Sequence, residues 1–221
     1  MILAVTGGKG GVGKSTLAFE LGAATSAVVV DADVGMADLP TGSGPDLHDV
    51  LAGRASAVEA VREGGPVTLL PCGRSLAGAR AADVGRLGDA LRAVERAHGD
   101  VVVDCPAGMR ADAGVPLAVA DACVVVASPR PYALADAVRT RELARELDAG
   151  LVAVAVNRAV DDPPEAVFEE VLGAPAVTIP ADPRVARAVE TSRPVCRVAP
   201  SSRAGRAISS LARAVDRCSH D

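Results

Sequence analysis

Short runs of apolar residues, many of them β-branched, alternate along the chain with longer stretches in which apolar and polar residues mix. The apolar runs predict strands over residues 2–6, 27–31, 67–70, 101–104, 122–127, 151–156 and 176–179. The mixed stretches predict helices over residues 14–24, 84–98, 133–147, 185–190 and 205–217. Strands without a polar face are buried on both sides. The pattern therefore predicts an α/β fold of three layers, a mostly parallel twisted sheet with helices on both faces.

The length and composition are those of an ordinary globular chain. It has 221 residues, 49% of them apolar, and shows no internal repeat or break in composition, so we expect a single domain over residues 1–221. With no Trp, one Tyr and two Phe, a surface that stacks nucleic-acid bases on aromatic rings is nearly excluded. No apolar run approaches the length of a membrane-spanning helix. The odd number of cysteines, five, argues against a disulfide framework, and without a C-x-x-C pair their spacing fits no zinc site. Reduced thiols and a cytoplasmic location are therefore expected.

The segment GKGGVGKS over residues 8–15 carries the clearest chemical signal, because it matches the phosphate-binding pattern G-x-x-x-x-G-K-[ST]. A predicted strand precedes it and a predicted helix follows it, as the pattern requires. Glycines let backbone N–H groups turn toward a phosphate chain, Lys14 can place its charge on the β- and γ-phosphates, and the Ser15 hydroxyl suits Mg²⁺. The candidate nucleotide-binding residues here are Gly8, Lys9, Gly10, Gly11, Val12, Gly13, Lys14, Ser15 and Thr16.

The same glycines also spell G-x-G-x-x-G, the dinucleotide-binding fingerprint, and Asp31 and Asp33 follow at about the distance of its ribose-binding acid. Two features favour the phosphate loop. Lys14 and Ser15 complete the longer and more specific pattern. A second element, VVDCPAG over residues 102–108, ends a buried strand with Asp104, which can hold Mg²⁺ opposite Ser15.

The chain has 21 arginines but only two lysines, and both lysines, Lys9 and Lys14, lie in this loop. With the additional Lys9, the loop resembles that of the deviant Walker A ATPases, and among them the MinD/ParA family. The resemblance implies a P-loop NTPase fold, the use of ATP and Mg²⁺, and a homodimer that forms with ATP. It also implies that Lys9 reaches across the dimer interface to the nucleotide of the partner subunit.

The resemblance extends over nearly the whole chain. The further matching segments are residues 31–39 (DADVGMADL), 47–53 (LHDVLAG), 104–108 (DCPAG), 156–158 (VNR), and 179–182 (IPAD) with 193–195 (RPV). It implies that Asp33 orients the attacking water and that Asn157 recognises the adenine. Asp31, its neighbour at the strand end, is a candidate for the Mg²⁺ shell, and Pro180 is a candidate nucleotide-binding residue. Asp38 stands where the family has Asn. The segment after Asp31 is closer to MinD-like members than to chromosome-partitioning ones.

The resemblance implies a slow ATP hydrolase, stimulated by a partner, with Lys9, Lys14 and Asp33 as the catalytic residues and Ser15, Asp31 and Asp104 around the metal. Such a protein switches by dimerising with ATP and positions division, motility or chemosensory machinery together with an activating or cargo protein. The alternative is an ATPase that serves metal-centre or cofactor assembly. Related metal carriers have a C-x-x-C or C-x-C pair, which this chain lacks.

Residues 180–221 contain eight arginines against four acids, although the whole chain has a net charge of −5. On a helix over residues 205–217 and its flank, Arg203, Arg206, Arg213 and Arg217 form one stripe, and Ile208, Leu211 and Val215 lie opposite. Three aliphatic side chains are too few for a membrane anchor. We therefore expect a helix packed on the domain, with no strong binding to membranes or nucleic acid. The three histidines, at positions 48, 98 and 220, are expected at the surface.

Overall fold

The computed structural model describes residues 1–35, 38–40, 42–108, 111–130, 132–161 and 165–218. Within them one sheet contains β1 (Ile2–Thr6), β2 (Val28–Asp31), β3 (Leu69–Leu70), β4 (Val101–Asp104), β5 (Ala122–Ala127), β6 (Gly150–Ala159) and β7 (Ala176–Pro180). The order across the sheet is β3-β2-β4-β1-β5-β6-β7, and every neighbouring pair is parallel. The predicted fold class is confirmed, although the strand predicted over 67–70 is only two residues long.

The helices of the described residues are α1 (Lys14–Thr25), α2 (Leu47–Leu51), α3 (Leu76–Ala81), α4 (Leu87–His98), α5 (Ala111–Val119), α6 (Ala133–Glu146), α7 (Glu165–Leu172), α8 (Pro183–Arg187), α9 (Val195–Val198) and α10 (Arg203–Cys218). The helix predicted over 84–98 begins with a 3₁₀ turn. The prediction over 185–190 was displaced, because Asp182 caps the helix and Pro183 occupies its first position. The hydrophobic pattern missed α2, α3, α5, α7 and α9.

Helices cover both faces of the sheet. Leu3 and Val5 of β1 face a core that contains side chains from α1, α8 and α10, whereas Ile2 and Ala4 face a core that contains side chains from α2, α4 and α5. A third cluster lies between β5, β6, α6 and α7. This alternation along β1 is the two-residue period of a strand buried on both faces, and it produces the three-layer arrangement.

Helix α10 packs as its pattern predicts. Its apolar side chains Ile208, Leu211 and Val215 are buried against the sheet. The four arginines of the stripe, Arg203, Arg206, Arg213 and Arg217, are all exposed. Within the described part of the chain, no helix has the length and apolar character needed to cross a membrane.

The edge strand β7 is closed by side chains of α7. The backbone N–H of Ala176 donates to Glu169 Oε1 at 3.0 Å, and the N–H of Thr178 donates to Glu165 Oε1 at 2.7 Å. These amides point away from β6 and would otherwise be free to pair with another chain. The two glutamates therefore occupy the outward N–H groups of this edge strand. The candidate functional groups lie at a different edge, where the carboxyl ends of the parallel strands meet.

Candidate functional site

The glycine-rich loop joins the carboxyl end of β1 to α1, at the centre of the sheet. Gly13 has a φ of 98°, in the left-handed region that favours glycine, and its carbonyl accepts from Leu17 N to begin the helix. The end of β6 supports the loop from outside. Asn157 Nδ2 donates to Val12 O at 2.8 Å, and Arg158 Nη1 donates to Gly11 O at 2.8 Å. The loop is therefore held in shape by a neighbouring strand.

Lys14 and Ser15 form the first turn of α1, and Lys14 is buried. The Ser15 hydroxyl donates to Asp38 Oδ2 at 3.3 Å. Both polar groups thus lie at the positive end of a twelve-residue helix, where an anion is favoured.

Asp31 and Asp104 end neighbouring strands and lie side by side in the register of β2 and β4. Asp31 is 0% exposed and accepts hydrogen bonds from the N–H groups of Asp33 and Leu39, each at 3.3 Å. Asp104 is 1% exposed, and neither of its carboxyl oxygens has a hydrogen-bond partner among the described residues. Burial raises the pKa of Asp31 to about 7 and that of Asp104 to about 8. The charge of Asp31 adds to the rise at Asp104, and the nearby Ser15 hydroxyl and Lys14 ammonium offset only part of it.

These oxygens fit a magnesium ion. Buried carboxyl oxygens without partners are rare in folded proteins, where a water, an ion or another ligand satisfies such groups. Mg²⁺ prefers hard oxygen ligands and usually takes one or two carboxylates together with substrate phosphates. Among the described residues, no group of three or more His, Cys, Asp or Glu side chains forms a closed metal site. The arrangement of Ser15, Asp31 and Asp104 thus suits a metal that is shared with a bound phosphate.

Asp33 lies just beyond the end of β2 and is half-buried. Its backbone N–H is fixed on the Asp31 carboxylate, which places its side chain beside the pair of buried acids. A carboxylate here can accept a proton or a hydrogen bond from a water molecule.

Lys9 lies on the outer side of the loop, and its side chain is 53% exposed. Its ammonium forms an ion pair with Asp136 of α6 at 3.0 Å and lies 4.5 Å from the centroid of the Tyr132 ring. Arg139 bonds the other Asp136 oxygen at 3.0 Å. In this structure Lys9 therefore contacts the beginning of α6 in its own subunit.

Three further predicted residues share one cavity of about 380 Å³ beside the loop. Thr16 lies on α1, Asn157 at the end of β6 and Pro180 at the end of β7. The cavity is also lined by Arg158, Ala181, Asp182, Pro183, Val185 and Ala186. The structure therefore brings together every predicted site residue along one edge of the sheet. The contribution of α8 to the cavity, and the contact of Arg158 with the loop, were missed by sequence reasoning.

The expectation that the histidines lie at the surface was wrong for His48, which is 3% exposed. A capping box between Asp46 and Asp49 begins α2, and His48 in its first turn is buried. His98 is half-buried, 3.4 Å from Glu63. His220 lies outside the described residues, as do motif positions 36 and 37.

Residues 3–195 match the family model of the CobQ/CobB/MinD/ParA nucleotide-binding domain. An ATP-binding protein of Methanocaldococcus jannaschii is 31% identical over 95% of this chain and 85% of its own length. The cell division ATPase MinD of Pyrococcus furiosus superposes with a TM-score of 0.91 at 26% identity, covering 98% of both chains. The septum site-determining protein MinD of Pyrococcus horikoshii, complexed with Mg-ADP, superposes with a TM-score of 0.91 at 25% identity over 99% of this chain and 96% of that one. The chain therefore belongs to the CobQ/CobB/MinD/ParA nucleotide-binding family, and within that family it has the P-loop NTPase fold of the MinD and ParA ATPases.

Proposed function

We propose that this protein is a MinD-like ATPase that dimerises with ATP, hydrolyses it slowly under stimulation by a partner protein, and positions other cellular machinery. The observation that carries the proposal is the buried, unpartnered carboxyl group of Asp104 beside Asp31. It lies at the same edge of the sheet as the glycine-rich loop, which leads into Lys14 and Ser15. A cytoplasmic location, where ATP and reduced thiols occur, is part of the same proposal.

In this proposal the loop backbone and Lys14 bind the phosphate chain, and Ser15, Asp31 and Asp104 hold the magnesium ion. Mg²⁺ supplies positive charge that neutralises the phosphate oxygens during transfer. Two raised carboxyl pKa values are consistent with this role, because a cation removes the cost of ionising buried acids.

Asp33 orients the attacking water in the proposed mechanism. It is half-buried and lies next to the metal-holding acids, so its carboxylate can accept a hydrogen bond from a water on the phosphate side. The cavity lined by Thr16, Asn157 and Pro180 takes the adenine. Its walls come from the ends of two strands and from α8, which supports a base held beside the loop.

Lys9 acts on the nucleotide of the partner subunit in this proposal. To do so, its ammonium must leave Asp136 and the Tyr132 ring. An exposed ion pair with a cation–π contact is worth only about 1 kcal/mol. The stronger negative charge of a triphosphate can therefore draw Lys9 away once a second subunit is in reach. Until a second subunit binds, the contact with Asp136 keeps the Lys9 ammonium away from the phosphates of the nucleotide bound to its own subunit.

The alternative role in metal-centre or cofactor assembly has no observation in its favour. The cysteines are free, and Cys72, Cys105 and Cys123 are buried, Cys196 is half-buried and Cys218 is exposed. The described chain thus offers no exposed thiol pair to a metal ion. Metal analysis of the purified protein with and without ATP would reveal a cargo metal if this role were correct.

Sedimentation of the Asp33→Ala variant tests the proposal. We expect a monomer with ADP and a dimer with ATP, because hydrolysis is blocked. Lys9→Ala should bind nucleotide normally but lose about 10³-fold in hydrolysis, the effect of a missing charge supplied across an interface. Lys14→Ala should lose binding first, because it faces its own nucleotide. A variant that stays monomeric with saturating Mg-ATP would contradict the dimerisation switch.

A further inference from the structure

His48 lies inside the molecule, directly behind the segment that carries the acids of the site. It is 3% exposed, and its Nε2 atom lies 3.1 Å from the carbonyl oxygen of Val34. Val34 follows Asp33 in the chain, and its own N–H donates to Ala32 O at 3.0 Å. The histidine therefore contacts the backbone of a short turn that begins at the end of β2 and contains Asp33.

The ring is held from several sides. Cys72 Sγ lies 3.4 Å from Nε2. A Cβ atom added at Gly73 would lie 2.8 Å from Nδ1, and one added at Gly78 would lie 2.7 Å from it. Two glycines thus let the backbone approach the ring more closely than any other residue would allow. The His48 ring has a tightly defined place between α2, α3 and the turn after β2.

The hydrogen bond to Val34 shows which ring nitrogen is the donor. A carbonyl oxygen can only accept, so Nε2 carries the proton and donates it. Burial raises the pKa of the Cys72 thiol, which therefore stays protonated beside the ring. Nδ1 has no hydrogen-bond partner among the described residues. A leucine or methionine could fill a packed niche without leaving a polar atom unsatisfied, so packing alone does not account for an imidazole here.

We infer that His48 is a positioning residue for ATP hydrolysis: its hydrogen bond to the Val34 carbonyl holds the turn that places Asp33 beside Asp31 and Asp104. This inference rests on the proposed function, because the benefit of a fixed Asp33 is a well-placed water. Displacing a water-orienting group by about 1 Å can cost on the order of 10²-fold in rate without a change in binding. The ring acts through Val34 and contacts no nucleotide itself.

Three substitutions at one position separate the hydrogen bond from the packing. In His48→Gln the side-chain amide nitrogen can occupy about the place of Nε2, whereas in His48→Asn it reaches only about as far as Nδ1. We expect His48→Asn and His48→Ala to lower kcat at least about tenfold and to change the KM for ATP less than about twofold. His48→Gln should recover most of the lost kcat. Cys72→Ala, which removes a contact of the ring but not the bond to Val34, should stay within about twofold of wild type.

Hydrogen–deuterium exchange separates this inference from the proposed function. Backbone amides between residues 31 and 35 should exchange faster in His48→Ala than in wild type, and His48→Gln should restore slow exchange. If wild type shows no ATPase activity, the proposed function fails, and the exchange data alone decide the role of His48. Equal loss in the Gln, Asn and Ala variants, in turnover, exchange or folding, would show that the ring acts by packing and would overturn the inference, as would an unchanged kcat in His48→Ala.

Discussion

Two regions of this molecule bury carboxyl groups completely. In one, backbone N–H groups hydrogen-bond to the carboxyl oxygens, and in the other, among the described residues, one carboxyl group has no such donor. Glu20 of α1 is 0% exposed, and its two oxygens accept hydrogen bonds from the backbone N–H groups of Val195 at 2.7 Å and Cys196 at 3.1 Å. Asp104 is 1% exposed, and both of its oxygens lack a partner among the described residues. Burial alone therefore does not identify a functional acid. The difference lies in whether the fold itself supplies the hydrogen-bond donors.

The satisfied acid joins two parts of the structure. Glu20 caps the beginning of α9, and Arg197 from that helix donates to Ala23 O near the end of α1 at 2.9 Å. These contacts connect α1 with a segment far away in the chain. Glu20 thus contributes to folding, whereas the carboxyl group of Asp104 destabilises the empty fold and gains its donors or counter-charge from ligands.

The largest stability change is expected at the satisfied acid. Glu20→Ala should lower the free energy of unfolding by about 3 kcal/mol, because two buried N–H groups lose their acceptor. Urea unfolding followed by circular dichroism measures it, with Glu170→Ala on the exposed face of α7 as control. Affinity for Mg-ADP in the folded variant should change little. A loss below about 1 kcal/mol would show that water replaces the carboxylate and that the two regions differ less than the structure indicates.

Replacing the unsatisfied acid, Asp104, should stabilise the metal-free protein rather than destabilise it. Asp104→Asn should raise the free energy of unfolding of the metal-free protein by about 2 kcal/mol at pH 8, because a buried group no longer has to ionise. A raised carboxyl pKa adds stability that is complete below the unfolded value of about 4 and is lost as the pH rises through the folded value. The folded values are about 7 for Asp31 and about 8 for Asp104.

Metal-free wild type should therefore lose stability between about pH 4 and pH 8, and the loss should be smaller in Asp104→Asn. Unfolding curves in EDTA at several pH values give this directly. A variant that is less stable than wild type at every pH would mean that Asp104 has partners that satisfy it within the fold.

The smallest effect is expected at the arginine stripe of α10. Arg213 and Arg217 are exposed, so Arg213→Glu with Arg217→Glu should change the free energy of unfolding by less than about 0.5 kcal/mol. Wild type should show no measurable binding to duplex DNA or anionic vesicles at physiological salt, with or without ATP. DNA titration and vesicle co-sedimentation on the ATP-bound Asp33→Ala form measure both. Firm binding that the charge reversal abolishes would make the stripe a contact surface.

Local sequence was sufficient for the sheet and the loop. Continuous β-branched runs such as the one that ends at Asp104 predict buried parallel strands, and strand ends place Asp31 and Asp104 together. Three of the missed helices lack a clear local signal: α3 contains a glycine, α5 has Pro116 inside it, and α9 is only four residues long. Tertiary packing, rather than helical periodicity, determines these segments.

The site could be located from the sequence but not its internal contacts. The contact between Lys9 and Asp136 joins distant parts of the chain, and no sequence motif predicts it. The burial of His48 could not be predicted either, because it depends on the close approach of Gly73 and Gly78, which are distant in the sequence. That Asp104 lacks donors is likewise a property of the packed edge of the sheet, which no motif shows.

Calorimetric titration with ADP, in the presence and absence of Mg²⁺, tests most directly the claim that the unsatisfied carboxyl group of Asp104 belongs to a magnesium–nucleotide site. Wild type should bind ADP at least about tenfold more tightly with Mg²⁺, and Asp104→Asn should lose most of this gain. Glu20→Gln, which alters the equally buried but satisfied acid, should keep it. If Asp104→Asn shows the same dependence on Mg²⁺ as wild type, the assignment of the buried, unpartnered carboxyl group to the metal is contradicted.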